Sequence, residues 1–297
     1  MSSVPYEIIA ASKPFRFLVG PDKKEFTMHA ELVARMSKPL WTLVNGKWKD
    51  SKEGLAEWPE IDEATFIRFC EFAYTGDYKA AEPFTEMPPT PSKLENERTA
   101  LEKYAPEPKP APAPDPWDDW GAGVVPKKKS KKTNSASIWS EAVPEMPLSP
   151  TAKRDAMWRT FQEEIDEKPV KRQEEEPNTN PSANYSEVLL SHARLYAFAD
   201  YNGIEALMGL CIRKLHRMLT VFNLHGGARA TDVAQLIDYS FKHTRSGEHK
   251  QDKLRCLVAT YTACHIEDLW PNLYFQDVLE SSDVSKSIIG QLLRRVS

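Results

Sequence analysis

The chain has 297 residues, of which 41% are hydrophobic and 28% charged, and its formal net charge is −4. This near-neutral balance argues against a nucleic-acid-binding face spread over a folded domain. No run approaches the roughly 18 consecutive apolar residues of a membrane-spanning helix, and the start Met-Ser-Ser-Val-Pro-Tyr-Glu lacks the pattern of a signal peptide. We therefore expect an intracellular protein, nuclear or cytoplasmic, that binds neither nucleic acid nor membrane directly.

The first part of the chain, residues 13–80, predicts a compact mixed unit. In chain order we expect a strand at Phe15–Val19, a return strand at Phe26–Met28, a helix at Ala30–Met36, a helix from Pro39 to Val44 and a strand at Leu55–Ile61. Pro59 limits the last strand to a sheet edge, because proline cannot donate a ladder hydrogen bond.

An amphipathic helix follows, with Asp62 as a good N-cap. Phe66, Phe69, Cys70 and Ala73 recur at the spacing that forms one apolar stripe. The segment Tyr74-Thr75-Gly76-Asp77 is then predicted to end the helix. Such a helix cannot bury its stripe alone, so the apolar surface that covers it must come from elsewhere in the chain.

Residues 81–183 predict a disordered insertion, because most of the 23 prolines lie between Pro83 and Pro181 and the remaining residues are rich in charge. One exception lies at residues 149–169, where Trp158, Phe161 and Ile165 share a face of a helix. So short a helix is marginal alone in water. We expect it to form only by docking, either on the folded part of this chain or on a partner.

Residues 184–225 predict two helices separated by Asn202-Gly203, and residues 228–297 predict a helical C-terminal extension. Leu189, Ala193, Tyr196 and Ala197 face inward in the first helix, and the second keeps helical period without interruption. These helices offer the surface that the earlier stripe needs. A long connection between the two parts is tolerable, because each doubling of the length of a flexible loop adds only about 0.6 kcal/mol to the free energy of loop closure. We therefore predict that the two distant parts form one α+β body.

Three segments resemble the BTB (POZ) domain family, in the form common among filamentous fungi. They are FRFLVGPDKKEFTMHAELVARMSKPLWTLVNG at 15–46, IDEATFIRFCEFAYTGDY at 61–78 and LLSHARLYAFADYNGIEALMGLCIRKL at 189–215. The three segments occur in the same order as in the family. The resemblance implies a BTB fold, in which a small β-sheet is flanked by a helical cluster, and in this chain the long insertion divides it.

The resemblance implies a protein–protein interaction module that self-associates or recruits partners such as cullin-type ubiquitin-ligase scaffolds. Lys13-Pro14 stands where the family usually has an acidic residue, which argues against homodimerisation of the transcription-factor type. No zinc-finger pairs or kelch repeats follow. The leading interpretation is an adaptor that brings a client to a ubiquitin ligase, and the alternative is a homotypic scaffold or nuclear regulator.

The family's cullin contact has the form apolar residue, any residue, glutamate, which Leu55-Ala56-Glu57 matches. The alternative is plain strand geometry, with Leu55 inward and Glu57 at the edge. Trp117 and Trp120 lie among acidic residues and indicate a docking peptide, unless they pack against a folded neighbour. Trp158 and Phe161 are further partner-binding candidates.

A lysine cluster follows Pro126 and consists of Lys127, Lys128, Lys129, Lys131 and Lys132. A compact positive run suits nuclear import receptors, and the alternative is a solvated charge run that balances nearby acids.

We expect no enzymatic activity, no cofactor and no small-molecule substrate, because the common nucleophile, phosphate-loop and metalloprotease motifs are absent from the sequence. The HGG at 225–227 predicts a helix stop, at which glycine supplies a positive φ. Structural zinc sites usually contain close ligand pairs, and the candidate ligands have none, so we expect no metal; they are His243, His249, Cys256, Cys264 and His265. His29 is predicted to be a hydrogen-bonded structural group, and all four cysteines to be reduced core thiols.

Overall fold

The computed structural model describes residues 5–47, 49–85, 150–163, 177–245 and 251–296. The strands are β1 (Pro14–Val19), β2 (Lys24–His29), β3 (Leu55–Trp58), β4 (Phe84–Thr85) and β5 (Ala183–Asn184). The helices up to the second closing helix are α1 (Tyr6–Ala10), α2 (Ala30–Ala34), α3 (Lys38–Asn45), α4 (Lys49–Glu53), α5 (Glu63–Thr75), α6 (Pro150–Glu163), α7 (Ser186–Tyr201) and α8 (Glu205–Val221). The C-terminal helices are α9 (Ala230–His243), α10 (Lys253–Cys264), α11 (Ile266–Leu269), α12 (Leu273–Leu279) and α13 (Ser282–Val296). The predicted α+β class is confirmed in its general form: the fold is mixed and mostly helical, with a small sheet.

The small sheet has the strand order β2-β1-β3. β1 and β2 form an antiparallel hairpin in which Phe17 lies opposite Phe26, whereas β3 runs parallel to β1 with Ala56 opposite Phe17. β3 is an edge strand, as Pro59 predicted, and it ends at Trp58 rather than at Ile61. The predicted run was too long because Pro59 follows directly and the chain turns through Glu60 and Ile61 into the next helix.

Two helices of the first part begin at side-chain caps. The Ser37 hydroxyl accepts from the amide of Leu40 at the start of α3, and the Asp62 carboxylate accepts from the amide of Thr65 at 2.8 Å. α5 then ends at Gly76, whose φ of 77° lies in the left-handed region that glycine adopts without strain. The predicted bounds of α5 are therefore confirmed at both ends. α2 ends at Ala34, two residues earlier than predicted, because Met36 belongs to the turn that leads into the Ser37 cap.

The stripe of α5 is covered by the closing helices, as predicted. Phe66 and Phe69 are fully buried, and the ring of Phe69 lies 5.0 Å from that of Phe198 on α7. Trp58 of β3 meets the same Phe198 ring edge-on at 5.4 Å. All described residues belong to one compact unit, and its hydrophobic core runs from Ile9 to Ile288. The C-terminal helices thus share the core of the first part.

α7 is the central helix of this unit and is more buried than its sequence pattern predicts. It packs against α5, α8 and α9. Leu195 and Phe198 are buried together with the predicted inward residues, whereas Ala197 is only half-buried. A helix with neighbours on several sides has no single apolar face, which explains why a one-sided stripe described it incompletely.

The two ends of the excursion between α5 and α7 meet in a short antiparallel ladder. Phe84 pairs with Asn184, and Thr85 pairs with Ala183. Thr85 and Ala183, which lie on either side of this long stretch of chain, are therefore neighbours in space. Within the part of the chain that the structure describes, no helix is long and apolar enough to cross a membrane.

Candidate interaction surface

Large apolar side chains are exposed on three helices of the first part. Tyr6 and Ile8 lie on α1, Trp41 on α3, and Ile67 and Tyr74 on α5, with exposed fractions between 47% and 74%. α1, α3 and α5 all pack against α2. We call these five residues the N-terminal surface. Exposed aromatic and aliphatic side chains gathered around one element are typical of protein-binding surfaces.

Tyr74 is held in place by the junction between β2 and α2. Its hydroxyl lies 2.9 Å from His29 Nδ1 and accepts from the backbone amide of His29 at 3.3 Å. The prediction that His29 is a hydrogen-bonded structural group is confirmed. The contact fixes one end of α5 and thereby the orientation of an exposed aromatic ring.

The candidate cullin contact lies on the edge strand β3. Leu55 is half-buried and Glu57 is exposed, and the Glu57 carboxylate pairs with Lys23 Nζ at 3.0 Å. The inward residue of this strand is Ala56, which is 1% exposed. The alternative geometry with Leu55 inward is therefore wrong, since the alternation along the strand has the opposite phase. Leu55 and Glu57 share the outer face.

Trp158 and Phe161 lie on α6, which docks on the folded part of this chain. Phe161 is 1% exposed, and its backbone oxygen lies 2.7 Å from His216 Nε2 of α8. Trp158 stacks on Phe161 at 5.3 Å and meets the His265 ring edge-on at 4.6 Å. Of the two docking alternatives, the structure shows the internal one. In this fold Phe161 belongs to the core and is not available to a partner.

A buried polar cluster joins the two distant parts of the chain. Lys214 of α8 is 5% exposed and donates to the backbone oxygen of Tyr78, and its Nζ lies 2.6 Å from the Asp77 carboxylate. The Tyr78 hydroxyl lies 2.6 Å from His192 Nδ1. Burial lowers the pKa of His192 to about 3, with further contributions from the positive charges of Lys214 and Arg68. His192 is therefore neutral at physiological pH.

Sequence reasoning missed both the N-terminal surface and this polar cluster. The N-terminal surface left a weak signal, because Ile67 and Tyr74 are large side chains that fall outside the stripe of α5. Lys214 also left one, since it lies three residues after Cys211 and four before Met218, beside the apolar stripe of α8. Neither signal says whether the side chain is exposed or paired.

The other candidates from the insertion lie outside the described residues. They are Trp117, Trp120 and the lysines Lys127, Lys128, Lys129, Lys131 and Lys132. His249 is likewise outside the described ranges.

The candidate metal ligands that the structure describes do not converge. His243 stacks on Tyr239 at 4.1 Å, and His265 packs between Trp158 and Tyr261. Among the described residues, no group of three or more histidine, cysteine or acidic side chains could hold a metal ion.

The HGG segment forms a turn in which His225, Gly226 and Gly227 all have positive φ. The predicted helix stop is wrong, because α8 already ends at Val221. The positive φ of the glycines agrees with the geometry that the prediction assigned to them. The turn instead leads into α9, and His225 Nε2 lies 2.7 Å from the backbone oxygen of Asn178.

All four cysteines are free thiols on helices. Cys211 and Cys264 are buried, and Cys70 and Cys256 are half-buried, which agrees with the predicted core thiols. Burial raises the pKa of Cys70 and of Cys211 to about 12 and that of Cys264 to about 11. These three thiols stay protonated at neutral pH and are poor nucleophiles.

No family model matches the chain, and no curated protein matches it.

Proposed function

We propose that the chain is a non-enzymatic protein–protein interaction module of the BTB type. In this proposal it acts as an adaptor that brings a client to a cullin-type ubiquitin ligase. The N-terminal surface carries the proposal, because its five apolar side chains are exposed on helices that all pack against α2, and exposed apolar side chains gathered in this way are typical of protein-binding surfaces.

The order of elements supports the BTB part of the proposal. The three segments that resemble the family form a strand hairpin, a pair of short helices, the capped helix α5 and the pair α7–α8. A small β-sheet beside a cluster of helices is what the resemblance implies. These elements also share one core, although the chain between α5 and α7 is long.

The experiment is affinity capture from native extract combined with light scattering of the purified chain. A double variant, Trp41→Glu with Ile67→Asp, places two charges on the N-terminal surface without touching the core, since both side chains are exposed. Tyr201→Ser is the matched control, because Tyr201 is an exposed aromatic residue on α7. Unchanged thermal unfolding establishes that the double variant is folded.

A cullin recovered in stoichiometric amount with the wild type and the control, and lost with the double variant, supports the adaptor. Glu57→Lys tests the edge strand separately and should reduce cullin recovery if Leu55 and Glu57 form the contact. A wild-type dimer without cullin, converted to a monomer by the double variant, indicates the homotypic scaffold instead. Wild-type protein that is monomeric and captures no partner contradicts both versions.

A further inference from the structure

The C-terminal helices border an open cleft of about 580 Å³. It lies between the last turn of α9, the start of α10 and the first turns of α13. Its basic lining residues are Lys242, Arg245, Arg255 and Lys286. Asp283 is the acid among the described lining residues, and Phe241, Thr244 and Ser287 complete the walls.

Arg255 is fixed at the base of this cleft. The residue is 8% exposed, and its guanidinium packs over the Phe241 ring at 4.9 Å. Nε donates to the Thr244 hydroxyl at 3.0 Å, and Nη2 donates to the backbone oxygens of Phe241 and Thr244. These bonds hold the guanidinium in one orientation and satisfy carbonyls at the C-terminal end of α9.

Nη1 of Arg255 has no hydrogen-bond partner among the described residues. The nearest carboxylate is that of Asp283 at 3.8 Å, beyond hydrogen-bond distance, and its side chain is 67% exposed. A buried cation without a hydrogen-bonded counter-ion is unfavourable. The fixed guanidinium therefore leaves an N–H donor at the cleft, and its ion-pair partner there is the exposed Asp283 carboxylate at 3.8 Å.

We propose that this cleft binds a phosphate group, either free phosphate or a phosphomonoester. The planar guanidinium matches phosphate oxygens, and Arg245 and Lys286 add positive charge at the rim. Lys242 contributes less, because its Nζ already pairs with Asp238 at 2.8 Å. The first turns of α13 border the cleft, where the positive end of the helix dipole favours an anion. The proposal is independent of the proposed function.

The test is isothermal titration calorimetry of the full chain with inorganic phosphate and, separately, with phosphoserine. Titration with sodium chloride at equal ionic strength is the control. We expect saturable binding of at least one phosphate probe and none of chloride. Lys286→Glu reverses an exposed charge at the cleft and should weaken binding about tenfold or more. Lys52→Glu makes the same change on exposed α4 and should bind like the wild type.

Asp283→Asn gives a second test of opposite sign. Removal of the competing carboxylate should tighten phosphate binding. If the cleft instead bound a cation, the same change would weaken binding of that cation. Equal binding of both probes assigns the cleft to free phosphate, and tighter binding of phosphoserine assigns it to phosphomonoesters. The proposal is overturned if neither probe binds more than chloride, if Lys286→Glu binds like the wild type, or if Asp283→Asn binds phosphate more weakly.

Discussion

His192 shows how a single side chain can make the fold sensitive to acid. Its ring is buried beside Lys214, and the two charges would repel each other if the imidazole were protonated. The unfolded chain has no such restriction, so it takes up a proton near pH 6.5. The folded state stays neutral at this position down to about pH 3.

We expect the free energy of unfolding to fall as pH drops from about 6.5 towards 3, because only the unfolded state gains the proton. One such group contributes at most about 1.4 kcal/mol per pH unit. Burial also lowers the pKa of His265, which contributes with the same sign. His192→Gln should reduce the slope of unfolding free energy against pH, measured by urea denaturation at several pH values.

The control for this measurement is Leu189→Ala, a buried and non-titrating change on the same helix. It should lower stability at every pH and leave the slope unchanged. A His192→Gln variant with the wild-type slope would show that another group is responsible.

α6 shows how an element with weak intrinsic stability is held by its neighbours. It packs against α10 and α13, and its two aromatic anchors meet rings from α8, α10 and the turn after α10. Fourteen residues are too few for a stable isolated helix in water. Tertiary contact therefore decides whether α6 is helical.

Phe161→Ala should cost about 3–5 kcal/mol if α6 unfolds together with the rest of the molecule. If α6 instead detaches alone, the global free energy changes less, and trypsin cuts faster at Arg154 and Arg159. Denaturation and limited proteolysis together separate these cases. Gln162→Ala, an exposed neighbour, is the control. Wild-type behaviour in both assays would contradict the docking of α6 through Phe161.

The cap of α5 can be tested in the same way. Asp62 accepts from both the amide and the hydroxyl of Thr65, so Asp62→Ala should destabilise the protein by about 1 kcal/mol. Asp62→Asn retains an acceptor and should lose less. Denaturation midpoints measure both, with exposed Glu60→Ala as the control. Equal midpoints for Asp62→Ala and the wild type would mean that the cap contributes nothing.

At the scale of the whole molecule, one core joins parts of the chain that are far apart in sequence. Tyr78 and His192 are 114 positions apart, and Tyr78 and Lys214 are 136 apart, yet both pairs are in contact. The β4–β5 ladder adds backbone pairing at the same junction. Stability of the first part therefore depends on the closing helices.

Replacing Met87–Pro147 by a flexible linker of about 20 glycine and serine residues should preserve cooperative unfolding, since the described core contains none of these residues. Extending the deletion to Asn180 removes α6 and Asn178, whose amide donates to the backbone oxygen of Asn223. That larger deletion should lower the melting temperature clearly. Calorimetry of both variants checks this, and loss of cooperativity in the shorter deletion would contradict the single core.

Periodicity predicted much of this fold because apolar stripes and caps are local signals. Phe66, Phe69 and Asp62 could be read from their own helix. Lys214 and His192 could not, because their burial depends on Tyr78 and Asp77, which follow a helix more than a hundred residues earlier. Trp158 and Phe161 were identified as one face, but the sequence left open which surface covers them. The exposure of Trp41 and Ile67 could not be predicted either, because it depends on whether another part of the fold packs over these side chains.

The β4–β5 ladder has a practical consequence for protein engineering. Thr85 and Ala183 are paired across neighbouring antiparallel strands, so whatever polypeptide joins them begins and ends at adjacent points. A guest domain whose own termini are close together, such as a fluorescent reporter, can in principle be spliced in after Glu86 with little strain on the host. The β4–β5 ladder thus provides an insertion point for a guest domain.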